Sequence, residues 1–232
     1  MPELKKEAAL KAAAGVISGW TVGLGTGSTA AFAIEELGRR RREEGLDIQC
    51  VATSFQSSVL ARKVGLPLLF LESVNELNCS IDGADEIDPS MNLIKGGGAA
   101  HTQEKLVHAM SRQFIVVADH TKNVEKLGTK FAVPVELIPP ALAFVEKELA
   151  ALGAKEVNLR IAQRKDGPVV TDNGNLIIDA RFDINDPLKL EKELNMIPGV
   201  VENGIFAASG VAPHLAYIAA EDGVQTVERV KG

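Results

Sequence analysis

A chain of 232 residues, 46% hydrophobic and 4% aromatic, has room for one large domain or two modest ones, with cores built mainly from Ala, Val, Leu and Ile. Its net charge of −6 leaves no basic footprint for nucleic acid, although a local cluster of donors can still hold a small anion. No apolar run approaches ~18 residues, so neither a membrane span nor a signal peptide is expected, and Cys50 and Cys79 read as reduced, buried thiols of a cytoplasmic protein.

Apolar positions at helical spacing predict a helix over 3–17, with Pro2 suited to its first turn. WTVGLG (20–25) reads as a strand opening into glycines. Residues 28–44 read as a helix ending in Arg39 to Arg42, a solvated last turn that complements the helix dipole. Strand 47–54, helix 56–64, strand 66–70, strand 77–82, helix 99–112 and strand 113–119 follow. Strands rich in Val, Ile and Leu that alternate with helices predict an α/β fold with a doubly wound, mainly parallel, Rossmann-like sheet. Ligands of such sheets bind beyond the carboxyl ends of the strands, so GLGTGST, SIDGADEID and VADHTK should converge on one edge.

From about residue 130 the pattern becomes β-α-β-β-α-β, with strands 131–138, 156–163, 175–182 and 200–207 and helices 141–153 and 187–199. That order is the ferredoxin-like split motif. A smaller α+β domain, 130–206, is therefore expected as an insertion into a catalytic domain formed by 1–129 and 207–232. A polar hairpin loop (163–175) joins its middle strands.

The loop Gly23-Leu-Gly-Thr-Gly-Ser-Thr29 lies between a strand and a helix. Glycines let the backbone approach an anion there, and the helix start offers N–H groups. A dinucleotide fingerprint needs glycine where Ser28 stands and an acid where the next strand ends in Thr53-Ser54, so a nicotinamide cofactor is not expected. A phosphate site and a plain tight turn with Ser28 as N-cap both fit the loop.

Asp82, Asp85, Glu86 and Asp88 crowd a single turn. The spacing is not that of an EF-hand, and the four histidines form no ligand motif, so no metal is expected. Glu86 and Asp88 read as solvated turn residues. Asp82 suits that reading less well, because it ends the apolar strand beside Gly83 and Ala84. Behind this turn, Lys95 precedes Gly96, Gly97 and Gly98, whose N–H groups could form a nest for anionic oxygens. Glu104 falls in the first turns of the next helix. A first-turn acid is stabilised by the helix dipole, but its neighbours here suit proton transfer on an anionic, oxygen-rich substrate.

GTGST (25–29), DGADEID (82–88), KGGGAAHTQEK (95–105), VADHTKNVEKLG (117–128) and PVELIP (134–139), in this order, resemble type A ribose-5-phosphate isomerase over most of the chain. The resemblance implies interconversion of ribose 5-phosphate and ribulose 5-phosphate without metal or organic cofactor, by a protein that is commonly a homodimer. It implies Glu104 as general base, Asp82 and Asp85 as carboxylates on sugar hydroxyls and ring opening, and Lys95 as the cation of the site. Substrate-binding loops are implied at Thr26, Gly27, Ser28 and Thr29, at Gly83 and Ala84, and at Gly96 to Gly98. Lys122 would be a further binding lysine, and Lys5 stands where the family often has a basic residue near the phosphate. His101 reads as a surface residue. Two other classes fit parts of the pattern: a non-catalytic sugar-phosphate-binding regulatory domain, and a sugar-phosphate deaminase, lactonase or CoA transferase on a related scaffold.

Overall fold

The computed structural model describes residues 2–208 and 210–229. Ser209 and residues 230–232, which belong to the expected return segment 207–232, lie outside the described residues. The chain divides into two compact units, Met1–Ala84 with Gln103–Lys122 and Gly210–Gly232, and Asp85–Thr102 with Asn123–Ser209.

In the first unit, α1 (Pro2–Ala14) and α2 (Ser28–Glu44) accompany β1 (Thr21–Leu24), β2 (Gln49–Ala52) and α3 (Phe55–Lys63). β3 (Cys79–Asp82) follows, and β6 (Phe114–Asp119), β12 (Leu215–Ala220) and β13 (Gly223–Glu228) complete the sheet. The strand order is β13-β12-β6-β3-β1-β2, parallel except for the antiparallel β12–β13 pair. β2 and β3 lie on opposite sides of β1, so the direction of winding reverses there and a crevice is expected beyond the ends of β1 and β3. The core is aliphatic, with Leu24, Ile34, Leu37, Ile48 and Ile81 buried; α1 packs through Ala8, Ala9, Ala12 and Ala13, whose small side chains permit close approach.

Three expectations for this unit need correction. The strand at 66–70 reduces to one bridge between Leu68 and Cys50; Leu66 joins the core, while Phe70 at the far end is 77% exposed. The arginine run is not simply solvated: Arg40 Nη1 donates to the carbonyls of Ala13 (2.6 Å) and Val16 (2.9 Å), satisfying the C-terminus of α1. Ser28 is not the N-cap. Gly27 holds that position at φ 97°, which favours glycine, and Ser28 is the first helical residue.

The second unit holds β7 (Val133–Leu137), α5 (Leu142–Ala151), β8 (Glu156–Leu159), β9 (Leu176–Arg181), α6 (Pro187–Asn195) and β10 (Val200–Asn203). The sheet is fully antiparallel in the order β10-β7-β9-β8, the arrangement of the expected split motif. A further small sheet, β11-β5-β4, joins Ile205–Phe206, Leu93–Ile94 and Glu86–Ile87. The expected strand 200–207 is thus two strands in two sheets, broken at Gly204, where an added Cβ would lie 2.2 Å from the Lys95 carbonyl oxygen.

That small sheet also overturns the solvated reading of Glu86. The side chain is fully buried and accepts hydrogen bonds from the N–H groups of Gly128, Lys130 and Phe131. Asp88 does serve a turn, accepting from the Ser90 and Asn92 backbone and from the Asn92 side chain. The described helices include none long and apolar enough to cross a membrane.

Candidate active site

In the first unit β1, β3 and β6 run parallel as neighbours, so the segments leaving them emerge at one edge. Leu24 is in register with Ile81, which sets Gly25 beside Asp82. A Cβ on Gly25 would stand 2.2 Å from Asp82 Oδ1, so only glycine leaves room for that carboxylate. Asp82 is fully buried. Its Oδ1 accepts from the N–H of Thr26 (3.1 Å) and Gly83 (2.7 Å), and its Oδ2 lies 3.0 Å from His108 Nε2. The predicted hydroxyl loop and the acidic turn therefore share a carboxylate. Thr26 Oγ1 also donates to Ser54 Oγ (2.7 Å) and lies 2.8 Å from Thr53 Oγ1, which fixes the loop against the end of β2.

Beyond this loop α2 begins with Ser28 and Thr29, with no acid in its first turn. A helix start of this kind presents N–H groups and a partial positive charge. Lys5 Nζ lies 3.4 Å from Ser28 Oγ. Asp119 ends β6 nearby in the strand order. Burial pushes its carboxyl up, but the hydroxyl and N–H of Thr121, with Lys5 and Lys122, outweigh that and hold it below the usual carboxylate range. Lys5 and Lys122 thus both act on the strand edge that carries the hydroxyl loop, a donor-rich environment for an anion.

Glu104 is the fourth residue of α4 (His101–Ala109) and is 4% exposed. The helix seats closely because β1 carries Gly23: a Cβ there would meet Val107 at 2.6 Å and Ser80 at 2.7 Å. His108, one helical turn after Glu104, is the residue bonded to Asp82.

The second unit holds Asp85 and the Lys95–Gly98 loop. Asp85 Oδ2 accepts the Gly97 N–H at 2.8 Å. The expected nest is therefore only partly available to a ligand, because an internal carboxylate occupies one of its donors. Gly96 has φ 107°, and its carbonyl accepts from Arg160 Nη1 at 2.8 Å; Arg160 is itself bonded through Nε and Nη2 to Asp179. Lys95 is 3% exposed, with Nζ 5.7 Å from the Phe206 ring centre, a cation–π contact. A cleft of about 460 Å³ on this unit is lined in part by Asp85, Gly97, Arg160 and Asp179.

His101 contradicts its surface reading. It is fully buried, with Nε2 3.4 Å from the Glu202 carbonyl oxygen and its ring against Gly96, where a Cβ would lie 2.7 Å from Nδ1. Its burial follows from the missing side chain at Gly96. Sequence reasoning also missed His108, Arg160 and Glu136. A histidine four residues after Glu104 was a visible signal for the first; the other two depend on strand pairings remote in sequence.

The predicted residues divide between the units. Thr26 to Thr29, Asp82, Gly83, Ala84, Glu104 and Lys122 lie in the first, and Asp85 and Lys95 to Gly98 in the second. Within them the structure brings together Thr26 with Asp82 and Asp85 with Gly97.

Residues 49–223 match the family model described as Ribose 5-phosphate isomerase A (phosphoriboisomerase A). Ribose-5-phosphate isomerase A of Thermosynechococcus vestitus is 57% identical over 206 residues, covering 88% of this chain and 87% of the relative. The solved ribose 5-phosphate isomerase A of Methanocaldococcus jannaschii superposes with a TM-score of 0.93 at 45% identity, covering 97% of this chain and 98% of that one. A D-ribose-5-phosphate isomerase in complex with phospho-erythronic acid gives a TM-score of 0.93 at 45% identity, covering 98% of each chain.

Proposed function

We propose a reaction and a division of labour from one premise: the chain belongs to the ribose 5-phosphate isomerase A family. It is an aldose–ketose isomerase that interconverts D-ribose 5-phosphate and D-ribulose 5-phosphate. The matches favour this activity over the regulatory, deaminase, lactonase and CoA-transferase alternatives.

Glu104 is assigned as the general base. It takes the proton from C2 of the open-chain aldose, leaving an enediolate across O1 and O2, and returns it to C1. Adjacent carbons let one carboxylate serve both steps when the enediolate is cis. Lys95 offsets the charge that develops on the oxygens. Asp82 and Asp85 handle sugar hydroxyls and ring opening, and carry the hydroxyl proton from O2 to O1 so that the C2 carbonyl of the ketose forms. Thr26 to Thr29, Gly83, Ala84 and Gly96 to Gly98 bind substrate, and Lys122, with Lys5, favours the phosphate. Neither a metal nor an organic cofactor is needed in this scheme. The finer assignments, a cytoplasmic homodimer working in the non-oxidative branch of the pentose phosphate pathway, belong to the same proposal.

The observation that carries the role of Glu104 is its placement, buried in the first turns of α4 and one turn from the histidine that holds Asp82. Phospho-erythronic acid, held by a relative, supports the substrate class. It is a phosphorylated polyhydroxy acid whose carboxylate presents two anionic oxygens on one carbon, much as an enediolate presents oxygens on neighbouring carbons. Incubation with ribose 5-phosphate in the presence of EDTA, followed by ketose assay, tests the activity. The Glu104→Gln variant should bind phospho-erythronic acid while turnover falls by about 10²–10⁴. Near wild-type turnover would remove Glu104 from the role.

A further inference from the structure

We propose that His108 is a positioning residue for the isomerisation and acts through Asp82; this rests on the reading above that Asp82 handles substrate oxygens. His108 is 1% exposed, and its two ring nitrogens meet two residues of β3: Nε2 is 3.0 Å from Asp82 Oδ2 and Nδ1 is 2.9 Å from Ser80 Oγ. Positions 80 and 82 share one face of the strand, so a single imidazole spans them. The ring is stacked on Phe114 with centroids 3.8 Å apart and planes 8° from parallel, which fixes its plane as well as its edge.

Asp82 is thereby clamped from both sides. His108 contacts Oδ2, while the Thr26 and Gly83 N–H groups hold Oδ1. An acceptor at Asp82 assigns the proton to Nε2. The Ser80 hydroxyl suits either charge state of the ring, because it can donate to a bare Nδ1 or accept from a protonated one. The Ser80–His108–Asp82 chain has the composition of a hydrolase triad, but Ser80 is fully buried within the sheet and offers no substrate access. Its geometry instead links two functional groups. Glu104 and His108 stand one turn apart on α4, so the helix that carries the base also holds the carboxylate at the end of β3.

A double-mutant cycle separates this role from simple core stability. The variants are His108→Leu, which fills the space without a donor, Asp82→Asn, and the pair; kcat, KM and urea stability are measured for each. His108→Leu should lower kcat by about tenfold, the scale of one hydrogen bond to a charged group, with KM within about twofold. In the Asp82→Asn background the same change should cost less than about twofold. His108→Gln, which keeps a donor, should recover part of the loss. An unchanged kcat in His108→Leu, or losses that multiply in the pair, overturns the proposal. Wild-type kcat in Asp82→Asn alone overturns the underlying reading of Asp82, and His108 falls with it. Should His108→Leu fail to fold, Ser80→Ala replaces it in the cycle. A kcat loss that vanishes in the Asp82→Asn background supports the proposal, and no loss or an additive loss overturns it.

Discussion

Thr102 Oγ1 donates to Glu136 Oε2, so the second residue of α4 is tied to the fourth residue of β7. The other oxygen of Glu136 accepts from Thr171 Oγ1 (2.9 Å), Asn173 Nδ2 (3.0 Å) and Asn175 Nδ2 (2.8 Å). A fully buried carboxylate thus collects four side-chain donors from the start of a helix and the hairpin between β8 and β9. The hairpin that reads from sequence as a polar loop supplies three of them.

Glu136 should make stability depend on acid pH. Burial pushes its carboxyl up, but the donors from Thr102, Asn173, Asn175 and Thr171 outweigh this and lower it below the ordinary 4.5. A carboxylate lowered on folding stabilises in full above its unfolded value and loses that contribution as pH falls through the folded one. Urea unfolding from pH 7 downward should show wild type losing its advantage over Glu136→Gln below about pH 4.5. At pH 7 the variant should be less stable by about 2–3 kcal/mol. Parallel curves for the two proteins would contradict this.

Lys95 should matter more to the transition state than to the ground state. Its charge is buried beside Phe206, where an electrostatic contact is weakly screened. Lys95→Ala should cost about a hundredfold in kcat with a much smaller change in KM. A change confined to KM would assign Lys95 to uniform binding.

Arg160 should support the Gly96–Gly97 turn through its fork to Asp179. Arg160→Ala is expected to lower stability by about 1–2 kcal/mol, since both side chains are partly exposed. It should also raise KM severalfold. Arg160→Lys should fail to restore KM, because a lysine ammonium cannot make the planar fork. Full recovery by lysine would show that charge alone suffices.

The two glycines of the hydroxyl loop should fail differently. At Gly25 the obstacle is contact, with Asp82 Oδ1 2.2 Å from an added Cβ; at Gly27 it is conformation, φ 97° with no atom within 4 Å. Gly27→Ala should cost about 1–3 kcal/mol of stability. Gly25→Ala should displace Asp82 and abolish most turnover, as steady-state assays of refoldable protein would register. Wild-type turnover in Gly25→Ala would contradict the close approach.

Cys50 and Cys79 should be inert. Both are fully buried on the strands flanking β1, and burial pushes each thiol up to about 12, with Cys79 adding to the effect at Cys50. Native protein at pH 8 should resist aromatic disulfide reagents, and both thiols should react in urea. Rapid labelling without denaturant would indicate local opening of the sheet.

By itself the sequence determined the alternation of strands and helices, the split motif and the short polar segments that punctuate them. These follow from periodicities and turn chemistry acting over a few neighbouring residues. It also marked Glu104, Asp82, Asp85 and Lys95 as candidates, since glycines and charges cluster around them. Only the tertiary structure decided which polar groups face inward. Glu86 looked solvated and is buried by N–H donors 42 to 45 residues away, while His101 is buried against a glycine. Asp82 gained His108 from 26 residues downstream. A buried polar side chain needs a partner, and which partner it meets is set by the register of strands and helices remote in sequence, a property no local pattern carries.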